Sequence, residues 1–168
     1  MKTANELLLE FEAATNAIIE KVAALSQSEI NKVPFSGSWT AAQVIEHLCK
    51  SDQAMIQALN GPVQPTSRPP DEMVDNLRNI FLDFSTKLPS PDFIIPSNET
   101  FDKENLIGTF KAGRAEIGKA IQTLNLTETV HMPIFGKPTR LEILTFVIFH
   151  TMRHTNQVKN ITEKLAAV

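Results

Sequence analysis

Cysteine is almost absent. Cys49 stands alone in 168 residues, so no internal disulfide can form and a reducing compartment suits the chain. Basic charge is scarce too: 16 lysines and arginines against 19 acidic residues give a formal charge of −3. Nucleic-acid binders draw most of their affinity from neutralised phosphates. No lysine or arginine block stands out here, so neither DNA nor RNA is expected as a partner. No apolar run approaches the ~20 residues that span a bilayer, and no membrane partner is expected. Met1 to Glu10 lacks a basic-then-apolar leader, because Glu10 interrupts Leu7-Leu8-Leu9 at once. The expectation is a cytoplasmic protein.

Internal repeats and low-complexity stretches are missing as well. What remains is 42% apolar and 21% charged, an ordinary globular balance. A chain of this length buries about 70% of its unfolded surface and folds without staples. One domain over residues 1–168 is therefore expected.

The ten prolines act as punctuation, with groups at Pro62–Pro70, Pro89–Pro96 and Pro133–Pro138. Between them apolar residues recur at gaps of three and four, the mark of amphipathic helices. The first helix opens at Thr3, with Glu6 completing a capping box, and its core stripe is Leu7, Phe11, Ala14, Ile18, Val22 and Leu25. The next opens at Thr40, with Gln43 three residues on and Trp39 placed to staple onto Val44, and runs to about Asn60. Asp71 to Leu88 reads as an additional helix ended by Pro89, and another starts near Asp102. The last has Thr139 as N-cap and Glu142 as its boxed partner, with a stripe of Ile143, Val147, His150, His154, Val158, Ile161 and Leu165. Val130 to Phe135 is the only strand candidate. The pattern predicts an all-α protein, a four-helix bundle with one additional helix.

Three of the four histidines sit where apolar residues are expected. His150 and His154 are one turn apart on one helix, so their rings can address a common atom. His47 falls on the stripe Val44, His47, Ser51 and Met55 of the second long helix. Three imidazoles facing inward can hold a divalent ion and leave positions open, as catalytic rather than structural sites do. Zinc, nickel and iron all accept such ligands. The competing reading makes them hydrogen-bonded core histidines, but burying three imidazoles with no shared partner strands several nitrogens at ~1–3 kcal/mol each. The segment His150-Thr151-Met152-Arg153-His154 lacks the zincin glutamate, so a general base would come from elsewhere.

Other side chains are weaker candidates. Gln157, one turn after His154, could orient a ligand. Ser51 reads as a packing residue, Asp52 and Glu46 as solvated, and Arg153 as half of an ion pair. His131 reads as a loop residue. Cys49, two residues from His47, points elsewhere around the helix and is a poor ligand.

Three segments together resemble the DinB-like superfamily of metal-binding helical bundles, which includes the YfiT-like metal-dependent hydrolases. They are Trp39-Thr40-Ala41-Ala42-Gln43-Val44-Ile45-Glu46-His47-Leu48, the loop His131 to Thr139, and His150-Thr151-Met152-Arg153-His154-Thr155-Asn156-Gln157. The resemblance implies a down-up-up-down bundle, a divalent ion on His47, His150 and His154, and a homodimer. It also implies one of two chemistries on a small-molecule substrate, S-transfer from a low-molecular-weight thiol cosubstrate or hydrolysis. A non-catalytic metal- or ligand-binding bundle is the alternative, and the missing glutamate favours it modestly. Family analogy alone tilts the balance toward S-transfer.

Overall fold

The computed structural model describes residues 1–167. Six helices follow one another: α1 (Ala4–Ala23), α2 (Gln27–Ile30), α3 (Ala41–Leu59), α4 (Val74–Phe81), α5 (Lys103–Thr123) and α6 (Arg140–Ala166). Two short strands, β1 (Val63–Gln64) and β2 (Thr129–Val130), pair antiparallel. Among the described residues no helix is long and apolar enough to cross a membrane.

Local chemistry starts the long helices where the sequence places them. Thr3, Thr40 and Thr139 each accept from the N–H three residues on, and the side chains of Glu6, Gln43 and Glu142 reach back. Two orphan donors are thereby satisfied at each start. Asp102 caps α5 in the simpler way, through the N–H of Asn105.

Packing sets the directions. One apolar cluster joins Leu7 and Phe11 of α1, Met55 and Leu59 of α3, Ile117 and Ile121 of α5, and Leu144 and Val147 of α6. The other joins Ile18 and Val22, Ile45 and Leu48, Leu106 and Phe110, and Val158 and Ile161. The starts of α1 and α6 thus share one end of the bundle with the finishes of α3 and α5. The four long helices run down, up, up and down. Because α3 and α5 are parallel, the chain must return along a helix length of roughly 30 Å between them, and residues 60–102 make that journey.

That return corrects the expected helix over Asp71–Leu88, of which only Val74–Phe81 forms. The Asp83 carboxylate accepts from the N–H and hydroxyl of Ser85 and from the Thr86 hydroxyl, a local turn that competes with helix. Arg153 of α6 donates to the carbonyls of Phe81 and Asp83, which helix continuation would have used, and to that of Thr86. Two further elements differ. A short capped helix, α2, forms in the connection between α1 and α3, and the strand candidate contributes only Val130 to β2. The rest turns back through paired Met132 and Gly136 backbones, each N–H donating over 2.7 Å. Gly136 has φ +72°, a conformation that favours glycine.

Candidate metal centre

The two apolar clusters are separated by a polar layer to which every long helix contributes. It comprises Thr15 on α1; His47, Ser51 and Asp52 on α3; Arg114 on α5; and His150, Thr151 and His154 on α6, all buried. Helical periodicity puts each on the inward stripe, and the antiparallel contact of α3 with α6 puts the three histidines face to face.

Their Nε2 atoms converge. His150 Nε2 lies 3.0 Å from His47 Nε2 and 3.0 Å from His154 Nε2, and one ligand atom from each residue falls within 4.8 Å of the others. The far nitrogens settle the tautomers. His47 Nδ1 lies 2.9 Å from the Ile94 carbonyl and His154 Nδ1 lies 2.7 Å from Gln157 Oε1. Both oxygens can only accept, so both Nδ1 atoms carry the proton and both Nε2 atoms present a lone pair. His150 Nδ1 sits 3.5 Å from the Ser51 hydroxyl, at the limit of a hydrogen bond.

A proton on His150 Nε2 could satisfy one neighbour but not both. At least one buried lone pair would then face nitrogen with nothing between them. A cation removes that conflict, and two imidazole nitrogens at ~2.0–2.1 Å from one ion stand roughly 3 Å apart. The donor set therefore fits a divalent metal, with the outer acceptors that normally orient ligating histidines already in place.

Burial reinforces this state. It holds His47 below the ordinary imidazole value against the opposing pull of the Ile94 carbonyl. Burial and the adjacent His154 press His150 well below it, and burial, then His47, brings His154 to about 3. All three are neutral at pH 7, the form a metal needs. Aromatic rings surround them: Trp39 lies 5.0 Å from the His47 ring and stacks 6.5 Å from His154, while Phe146 stacks 5.0 Å from His150. Trp39 thus packs on the histidines as well as beside the α3 start.

The weaker candidates separate cleanly. Gln157 holds His154, and Ser51 touches His150. His131 is exposed on its loop, outside the cluster. Cys49 packs against the second apolar cluster, where burial pushes its thiol up to about 12. Asp52 is not solvated: it is buried 2.9 Å from Arg114 Nε. Glu46 pairs with Lys50 and accepts from the Ser97 N–H. Arg153 finds carbonyls instead of a carboxylate. The Ile94 carbonyl leaves no trace in side-chain chemistry, so no sequence signal could have revealed it. Arg114 left one, a basic residue four after Phe110 and three before Ile117 on the buried stripe.

The family profile described as the DinB superfamily matches residues 10–158. The chain belongs to the DinB superfamily. An uncharacterized protein of Bacillus subtilis (strain 168), YuaE, is 24% identical over 144 residues, covering 84% of this chain and 88% of the relative. Among solved structures, YfiT from Bacillus subtilis is described as a probable metal-dependent hydrolase with an unusual four-helix bundle topology. It aligns with TM-score 0.63 at 15% identity, over 97% of this chain and 87% of its own. A conserved protein from Enterococcus faecalis aligns with TM-score 0.66 at 16% identity, over 100% and 99%. At these identities the structural likeness shows the fold, a four-helix bundle shared by this DinB-superfamily chain.

Gln157 offers a test confined to the outer partner. In Gln157→Leu, His154 Nδ1 loses its acceptor while all three imidazoles remain. Metal affinity is expected to fall ~10–100-fold, measured by competition with a chromogenic chelator. Unchanged affinity would show that Gln157 does not orient the ring.

Proposed function

We propose that this DinB-superfamily chain is a metal-dependent enzyme acting on a small molecule, with a divalent ion held by His47, His150 and His154. The observation that carries the reading is the convergence of three buried Nε2 atoms, with the Nδ1 protons of His47 and His154 already committed elsewhere. The ion would supply Lewis acidity, lowering the pKa of water or of a thiol. The chain's own part is to fix the ligands, keep them neutral, and wall the centre with Trp39, Phe81 and Phe146. Those walls limit water and favour a substrate with apolar surface at the reacting end. The described likeness of the fold to YfiT supports hydrolysis, whereas family resemblance supports thiol transfer. Zinc and nickel are the ions to try first.

One observation favours a second reading, a binding protein without turnover. No aspartate or glutamate joins the three histidines within ligand distance among the described residues, so no carboxylate stands ready as a general base.

The deciding assay loads purified protein with Zn²⁺ or Ni²⁺ and offers thiol-plus-electrophile pairs and activated esters. Turnover that needs the ion and disappears in a folded His154→Ala variant supports the enzyme. One tightly held ion with no turnover of either substrate class leaves the binding protein.

A further inference from the structure

In the same polar layer, Arg114 is 3% exposed, and none of its three side-chain nitrogens has a hydrogen-bond partner. Its Nε lies 2.9 Å from Asp52 Oδ2, a charge contact without hydrogen-bond alignment. The guanidinium carbon sits 4.5 Å from the Phe110 ring centroid and 5.4 Å from that of Phe11. Aromatic rings thus cover the guanidinium, while its Nη1 and Nη2 donors remain unused. Thr15 shows the same deficit. Thr151, Thr155 and Thr162 donate to carbonyls one turn back, but the buried Thr15 hydroxyl has no partner. Buried donors left unmade are costly, so two of them in one polar layer call for a missing acceptor.

Arg114 and Thr15 both line a groove of about 490 Å³ between α1 and α5, within the size range of small-molecule sites, ~300–1,000 Å³. Leu8, Phe11 and Ile19 give it apolar wall, and Lys111, Lys119 and Glu12 stand at its exposed rim. Gly118 leaves the wall open: a Cβ there would meet only Phe11 at 3.8 Å and Leu8 at 3.9 Å.

We propose that this groove binds a small amphipathic monocarboxylate, its head accepting from Arg114 and Thr15 and its tail lying along Leu8, Phe11 and Ile19. The planar fork of a guanidinium matches a carboxylate. A single negative charge suits a site where Asp52 already opposes Arg114 from the other side. Two rim lysines outnumber the one rim carboxylate, Glu12, and favour an anion over a neutral molecule, and the long exposed side chains at the mouth can move aside to admit it.

The test is thermal denaturation of the full chain with sodium octanoate, octanol or acetate. Variants Gly118→Leu and Gly118→Ala accompany the wild type, the first filling the groove and the second serving as its folding control. Octanoate at ~100 times its dissociation constant is expected to raise the midpoint of wild type and Gly118→Ala by roughly 5–10 °C. Octanol and acetate are expected to shift it far less, and Gly118→Leu to lose the octanoate response. An equal response to octanol would show an apolar groove with no role for the guanidinium and overturn the proposal. Retention of the shift in Gly118→Leu would place the carboxylate elsewhere, the histidine centre included, and overturn it equally. So would the absence of any octanoate shift in wild type.

Discussion

Replacing His150 by alanine is expected to abolish metal-dependent stabilisation while leaving the bundle folded. His150 Nε2 is the atom that both other imidazoles face, each at 3.0 Å, so its loss leaves two ligands and no shared centre. The drop in affinity should exceed the ~10–100-fold cost of removing an outer partner. In wild type, Zn²⁺ or Ni²⁺ at ~100 times its dissociation constant adds about 2.7 kcal/mol, or roughly 5–10 °C for a domain of this size. The variant should show none of that rise. Metal-free His150→Ala should melt close to metal-free wild type, because the cavity it opens is offset by relief of a buried imidazole whose lone pairs crowd its neighbours. Denaturation with and without metal, beside elemental analysis of untagged protein, reads both quantities. A variant that still gains the full increment would remove His150 from the ligand set. A wild type indifferent to both ions would return the three histidines to a structural role.

Acid should destabilise the metal-free protein well above the pH at which ordinary carboxylates titrate. Burial lowers all three imidazoles in the folded state, His154 to about 3, against ~6.5 in an unfolded chain. Below pH 6.5 the unfolded state therefore takes up protons that the folded state refuses. Stability is complete above that value and falls as pH drops toward the folded values. Each such histidine contributes ~1.4 kcal/mol per pH unit. Asp52 runs the other way: burial raises its carboxyl to about 6 although Arg114 pulls it down, so the folded state gains a proton there first. The balance is a net loss of stability as pH falls from about 6 toward 4, because three histidines oppose one carboxyl. Urea denaturation of chelator-treated protein at pH 7.5, 6.0 and 5.0 measures it. A flat profile over that range would contradict neutral, proton-refusing imidazoles.

Much of this architecture is legible one turn at a time. The starts at Thr3, Thr40 and Thr139 can be read because the cap and its boxed partner lie three residues apart, and nothing distant is needed to complete them. The end of α4 cannot. The side chain of Arg153, some 70 residues downstream, claims the carbonyls on which a longer helix would depend. Asp52 shows a different limit. On α3 alone it is one more acidic residue beside polar Ser51, and only the parallel neighbour α5 brings Arg114 to it and turns it inward from water.

The centre divides along the same line. Periodicity by itself determined that His47, His150 and His154 lie on inward stripes, and that His150 and His154 share a face one turn apart, because both follow from 3.6 residues per turn. It determined the class of fold for the same reason. Tertiary structure decided that α3 and α6 meet at matching heights, that three Nε2 atoms face one another, and that the Ile94 carbonyl holds the His47 ring. Those are contacts between residues far apart in the chain or made by backbone, and backbone carbonyls are alike in every residue. The unpartnered guanidinium of Arg114 belongs there too, since a donor can be known to lack an acceptor only when all of its neighbours are in place.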